Sequence, residues 1–164
     1  MNADISTINK WATILRYDVC RMISIANSGH PGGSLSPVEI VATLYFHELN
    51  IDPANPDWAD RDRFVLSKGH GCPVLYAALA RRGYFPLETL RTLRRRGSIL
   101  QGHPEIHTPG VDMTSGCLGQ GLSAGAGMAL VSKMDKRRFR VYVMLGCGEM
   151  NEGQVYEAMM TASH

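Results

Sequence analysis

Arg140-Val141-Tyr142-Val143-Met144-Leu145-Gly146-Cys147-Gly148-Glu149-Met150-Asn151-Glu152-Gly153 is the stretch whose reading decides the fold. From Val141 to Leu145 it is apolar and short, with β-branched and aromatic residues, so it reads as a buried strand. A glycine turn follows, and then an acidic helix start that runs on through Gln154-Val155-Tyr156-Glu157-Ala158. Strand, glycine turn and helix are how α/β proteins present backbone N–H groups to phosphates. Gly146 and Gly148 permit close approach to an anion. A magnesium ion held there would need hard oxygen ligands, whereas Cys147 offers a soft thiolate. Glu149 and Glu152 fall in the first turn of the helix, where they either complement its dipole or serve the site.

Working outward, apolar residues at helical spacing (Ile8, Trp11, Ala12, Leu15, Val19, Met22, Ile23, Ala26) predict one amphipathic helix from about Ile5 to Asn27. In the loop Asn27-Ser28-Gly29-His30-Pro31-Gly32-Gly33, Pro31 is expected to stop any helix. Ser36-Pro37 with Glu39 is expected to restart one, running to about Glu48. A polar loop covers Asp52 to Asp62, and Phe64-Val65-Leu66-Ser67 is a second strand. Gly69-His70-Gly71 turns into a helix from Pro73 to Arg82, and another is expected from Pro86 to Arg96. Residues 97–121 lack periodicity. A small-residue helix follows from Leu122 to Met134, where Ala124-Gly125-Ala126-Gly127 allows close packing at a cost in helicity. This order implies α/β layers with a parallel sheet. Two strands make a poor sheet, so the chain reads as the first part of a larger domain.

Composition excludes more than it assigns. The 164 residues are 45% apolar and 20% charged with a net charge of +2, which suits a globular core and gives no sign of a nucleic-acid or membrane partner. No apolar run approaches the ~20 residues of a membrane span, and the start lacks a signal-peptide core, so a cytoplasmic protein is expected. The clusters Arg94-Arg95-Arg96 and Lys136-Arg137-Arg138 read as solvated helix ends or loops. Cys20, Cys72, Cys117 and Cys147 are too widely spaced for a zinc ribbon or a disulfide framework.

Three loops pair histidine with glycine: Gly29-His30-Pro31-Gly32-Gly33, Lys68-Gly69-His70-Gly71 and Gly102-His103-Pro104. Glycine leaves each imidazole uncovered, able to donate to a phosphate or hydroxyl or to shuttle a proton. One such loop is ordinary; three point to a polar pocket. His103 and His107 are four apart, but Pro104 argues against the helix that a zinc pair would need. Ser115-Gly116-Cys117-Leu118-Gly119-Gln120-Gly121 is a glycine loop opening a helix. With the turn at Gly146 to Gly148 it points to a diphosphate cradle.

Taken in order, these blocks resemble the amino-terminal part of transketolase, and the spacing is similar to that of forms encoded as two polypeptides. The matching segments are Gly29 to Ser34, Asp62 to His70, Gly102 to Pro104, Gly116 to Ser123 and Gly146 to Ala158. The resemblance implies the thiamine-diphosphate-binding fold, a three-layer α/β/α arrangement with a parallel sheet, here incomplete, with residues 1–164 as one partial diphosphate-binding domain. It implies that His30 and His103 contact the sugar and that His70 lies close to both cofactor and sugar. Gly116, Leu118 and Gly148 would contact thiamine diphosphate, and Glu152 would sit near a subunit interface. The implied reaction moves a two-carbon ketol unit between sugar phosphates. The implied cofactors are thiamine diphosphate and Mg2+. The implied partner is a C-terminal transketolase subunit carrying the pyrimidine-binding domain, in a homo- or hetero-oligomer.

Three departures bear on activity. The family has a magnesium-ligating Asp where this chain has Cys147. An asparagine that completes the metal site falls beyond His164, and the glutamate that activates the cofactor belongs to the pyrimidine-binding domain. The expectation is a truncated subunit, inactive alone. The alternatives are a fragment of a longer gene product, or a non-catalytic interaction protein whose contact faces are the 122–134 helix and the helix near Glu152.

Overall fold

The computed structural model describes residues 4–164. Helix α1 (Ile5–Ala26) starts at Asp4, whose carboxylate accepts hydrogen bonds from Ser6 N at 3.1 Å and Thr7 Oγ1 at 2.6 Å. It ends at Asn27 in the left-handed region, with φ of 47°. The expected periodicity is borne out, for Ala12, Leu15, Val19 and Met22 are buried along one stripe. Helices α2 (Pro31–Leu35) and α3 (Val38–Thr43) follow, the latter widening into a π turn over Leu44–Glu48. Strand β1 (Arg63–Leu66) leads through a 3-10 turn, Gly69–Gly71, into α4 (Cys72–Arg82). A 3-10 turn at Leu87–Thr92, helix α5 (Gln120–Met134) and strand β2 (Val141–Met144) come next. A 3-10 turn at Glu149–Asn151 and helix α6 (Gly153–Ser163) complete the order.

Three local expectations are corrected. Pro31 begins a helix instead of preventing one, since the first helical position needs no N–H donor. Ser36 caps nothing; it lies at the end of α2, and its hydroxyl accepts a hydrogen bond from Lys68 Nζ at 2.8 Å. The helix expected from Pro86 to Arg96 is a 3-10 turn ending at Thr92. Arg94 then adopts a left-handed φ of 60° and turns its N–H to the Leu100 carbonyl at 2.8 Å, which ends any helix there.

The strands pair in parallel with Phe64 opposite Tyr142, Val65 opposite Val143 and Leu66 opposite Met144. Alternation along them defines the layers. Phe64, Leu66, Tyr142 and Met144 face the core shared with α1, α3 and α4. Val141 and Val143 face α5 at Gly125, where an added Cβ would overlap Val143 Cγ2. The small-residue stretch therefore does permit close helix–sheet packing, at Gly125; Gly127 has open space instead. Every residue from Cys72 to Ala80 is buried, so α4 is the innermost helix. A two-point ion pair ties it to α1, with Arg81 Nε and Nη2 donating to Asp18 at 2.7 and 3.0 Å.

Candidate functional site

All five sequence blocks meet at the carboxyl end of the two strands. His30 and His70 stand edge to face, with ring centroids 5.2 Å apart and planes at 64°. Their contact needs Gly33, because a Cβ there would come within 2.9 Å of His70 Cδ2. His103 lies beside Gly116, whose Cβ position is 3.8 Å from the imidazole. The Gly102–Pro104 loop holds the Ser115 loop through Ser115 N donating to the Pro104 carbonyl at 3.1 Å. Tyr76, buried in α4, donates its hydroxyl toward the carbonyls of His103 at 2.9 Å and Gln101 at 3.0 Å.

Sequence reasoning left Glu149 between two roles, and the structure gives it a third. The side chain is 3% exposed and joins three segments. Oε1 accepts from Ser67 Oγ at 2.5 Å and Gly119 N at 2.9 Å, and Oε2 accepts from Gly146 N at 2.8 Å. One carboxylate thus fixes the end of β1, the loop before α5 and the turn after β2. Ser67 in turn accepts from Gly121 N at 3.1 Å, in a contact so tight that no side chain fits at Gly121. Glu152 is exposed, and its Cβ lies 3.0 Å from the Cβ position of Gly119.

Two further residues escaped the sequence reading. Lys68 is buried and spans the site, donating to the Gly33 carbonyl at 3.0 Å and to Ser36 Oγ at 2.8 Å, with Cδ 3.4 Å from the Cβ position of Gly146. Arg94, read as a solvated helix end, instead reaches across to Ser28 Oγ at 2.9 Å and lies against Gly102. The one sequence signal for Lys68 was a lysine directly after an apolar strand; Arg94 gave none.

The electrostatics are dominated by basic groups, with Glu149 as the buried acid among them. Burial lowers the pKa of His70, and His30, Lys68 and His103 lower it further, opposed by Glu149. Partial burial lowers His103, followed by Arg94 and His30. Burial also lowers Lys68, with Cys147 and Glu149 opposing. Such a set of mutually repelling basic groups is suited to an anionic ligand.

Leu118, Cys147 and Gly148 form the open rim: Leu118 is 40% exposed, Cys147 is exposed, and a Cβ on Gly148 would meet nothing within 4 Å. Among the described residues no protein acceptor meets the backbone N–H of Leu118 or Gly148. The rim therefore offers open space and backbone donors to an anion such as a diphosphate. It does not fit a hard cation. Cys147 presents sulfur, both Glu149 oxygens are occupied, and no group of three His, Cys, Asp or Glu among the described residues could hold a metal ion. His103 and His107 form no helical pair.

Residues 7–164 match the family described as transketolase, thiamine diphosphate binding domain. The chain belongs to this transketolase family. Its similarity to 6-deoxy-6-sulfo-D-fructose transketolase subunit SqwG of a Clostridium species is 52% identity, over 92% of this chain and 55% of that one. To an apulose-4-phosphate transketolase subunit from Phocaeicola vulgatus it is 46%, over 90% and 53%. The transketolase of Mus musculus is 46% identical over 92% of this chain and 24% of its own. Among solved structures, Leishmania mexicana transketolase superposes with a TM-score of 0.90 at 36% identity, covering 96% of this chain and 25% of the other. The chain thus spans about half the length of the relatives named as subunits and about a quarter of the full transketolases. The α/β thiamine-diphosphate-binding fold expected from the sequence is borne out, with a small parallel sheet between helices.

Proposed function

We propose that this chain supplies the diphosphate side of a transketolase assembled from more than one polypeptide, and that it is inactive alone. The observation that carries the reading is the convergence of His30, His70 and His103 with the rim formed by Gly116, Leu118 and Gly148. In this reading the N–H groups of Leu118 and Gly148 bind the diphosphate, and Lys68 supplies positive charge from beneath. His30 and His103 hydrogen-bond the hydroxyls of a sugar carrying a phosphate or similar anion. His70, kept neutral more readily than an exposed histidine, can accept or donate a proton between sugar and cofactor. Thiamine diphosphate, when bound, would supply the carbanion that carries the two-carbon ketol unit. The assignment of an anionic sugar draws support from the names of the two subunit relatives, one of a sulfo-sugar and one of a sugar phosphate.

Inactivity alone rests on Cys147 together with the cofactor-activating acid expected from the pyrimidine-binding domain and the distal metal ligand expected beyond this stretch of sequence. The family site expects magnesium, and the residues around Cys147 do not form a hard-ligand set. A partner chain would bring the pyrimidine side of the cofactor. Support comes from α5 and α6, which enclose a groove of ≈ 580 Å³ lined by Ala126, Leu130, Ala158 and Ala162, and which also expose Met134, Tyr156, Met159 and Met160.

Two titrations of the purified chain test this reading. Pyrophosphate should shift the NMR signals of His70 and of the Gly116–Gly119 and Gly146–Gly148 amides; unchanged spectra at millimolar pyrophosphate would refute the diphosphate site. Thiamine diphosphate with Mg2+ should give no calorimetric binding signal, and micromolar affinity would overturn the claim of inactivity. Cys147→Asp alone should not restore binding.

A further inference from the structure

Arg94 occupies a conformation that needs a reason. Its φ of 60° is left-handed, which costs a residue bearing a side chain about 1 kcal/mol relative to glycine. The turn it makes sends the guanidinium between two loops. Nη1 donates to Ser28 Oγ at 2.9 Å, two residues before His30. On the other side Cζ, Nη2 and Nε stand 3.2, 3.2 and 3.3 Å from the position a Cβ would take on Gly102, the residue before His103. Three nearly equal distances mean that the plane lies face-on over Gly102. A side chain at 102 would push it away. Among the described ion pairs Arg94 has no carboxylate partner, so its charge stays directed at its neighbours.

We propose that Arg94 is a positioning residue that clamps the Ser28–His30 loop to the Gly102–His103 loop and thereby sets the gap between the two imidazoles. That this gap receives a sugar rests on the functional reading above; the clamp itself does not. The role suits arginine, because a planar fork can lie flat on a glycine and still donate sideways, while an ammonium group can do only the second. Tyr76 provides the complementary hold, fixing the His103 carbonyl from the core side. His103 is thus pinned through its backbone from below, while the guanidinium covers the preceding residue, Gly102. The charged groups acting on it are Arg94 and His30, both of which disfavour its protonation. His70 answers to His30, Lys68, His103 and Glu149, and not to Arg94, so it serves as an internal control.

The test compares Arg94→Gly, Arg94→Gln and Arg94→Lys by histidine ring NMR through a pH titration of the purified chain. Arg94→Gly relieves the left-handed strain and guards against loss of fold; it should melt at or above the temperature of Arg94→Gln. In both, the His103 midpoint should move upward because a neighbouring positive charge is gone, the His30 ring signals should shift, and the His70 midpoint should move less than that of His103 and not upward with it. Arg94→Lys keeps the charge and loses the flat contact: its His103 midpoint should stay nearer the parent value while the ring shifts of His30 and His103 still change. His30 and His103 signals in Arg94→Gly that overlay those of the parent chain would overturn the clamp. Equal movement of His70 and His103 would also overturn it, by showing general loosening. Fructose 6-phosphate, added afterwards, tests the sugar-facing assignment separately. Perturbation of His30 and His103 in the parent chain, weaker in the variants, supports it. No perturbation in the parent chain, with the variants still moving His103, overturns that assignment and leaves the clamp in place.

Discussion

Glu149→Gln removes one negative charge and almost no volume, and its cost can be worked from three hydrogen bonds. Oε1 receives two donors, Ser67 Oγ and Gly119 N, and Oε2 receives Gly146 N. The least harmful placement of glutamine keeps its oxygen at the Oε1 position. Its NH2 group then faces the Gly146 N–H, donor against donor. Gly146 loses its acceptor inside a site where Glu149 is 3% exposed, at a cost of about 2 kcal/mol. Glu149→Ala strands all three donors and should cost about 4 kcal/mol, reduced where water enters from the rim. For a chain of this size each kcal/mol is about 3 °C in melting temperature, so the two variants should melt roughly 6 and 12 °C lower. Thermal denaturation followed by circular dichroism reads the totals. Hydrogen exchange locates them, because the Gly119 and Gly146 amides should lose protection in Glu149→Gln before the amides of α4 do. A Glu149→Gln variant within about 1 °C of the parent chain, or exchange that speeds up evenly across the protein, would refute the reasoning.

Two further outcomes follow from titration and exposure. His70 and His103 are both held below the ordinary histidine value, so the unfolded chain takes up protons first as pH falls. Stability should be unaffected by these groups well above about pH 6.5 and should decline as pH drops from there through their folded pKa values. Melting temperatures measured from about pH 7.5 to about pH 5 should show this fall, and a His70→Asn/His103→Asn double variant with an undiminished slope would sink the attribution. Cys20, Cys117 and Cys147 are exposed, whereas burial pushes the Cys72 thiol up to about 12. Ellman's reagent should therefore modify those three in the native protein and Cys72 only after denaturation; prompt labelling of Cys72 would contradict its placement in the core.

What the sequence revealed and what it hid divide by the range of the interactions. The α1 stripe, both strands and the glycine loops were legible because periodicity and backbone freedom are local. Pro31 misled because proline excludes a helix interior but is welcome at a helix start, and only the surrounding chain decides which applies. The segment after Pro86 misled because Leu90 and Leu93 sit at helical spacing, while the Arg94 turn depends on the distant Leu100 carbonyl. The roles of Glu149, Lys68 and Arg94 were hidden for one shared reason. Each is a charged residue with at least one partner 30 or more positions away, and charge in a sequence is read by default as surface. The histidine and glycine blocks, by contrast, announced a site because glycine beside histidine is itself a statement about exposure.

The position of Cys147 takes on a different meaning once Glu149 is placed. With a carboxylate at 147, an incoming cation would have a hard ligand on the rim, directly above a network that already holds one buried negative charge. With a thiol there, the nearest fixed charges to the rim are Glu149, fully engaged from within, and Lys68, whose ammonium keeps one donor beyond its bonds to Gly33 and Ser36. A thiol in place of a carboxylate removes one negative charge from the rim and leaves Lys68 as the group facing an incoming anion. In such a site a diphosphate would be held by lysine and backbone N–H groups, without the ordering that a bound metal would supply. On the proposed reading the rim would recognise phosphate without orienting a cofactor for chemistry, so binding of pyrophosphate and absence of turnover are compatible outcomes.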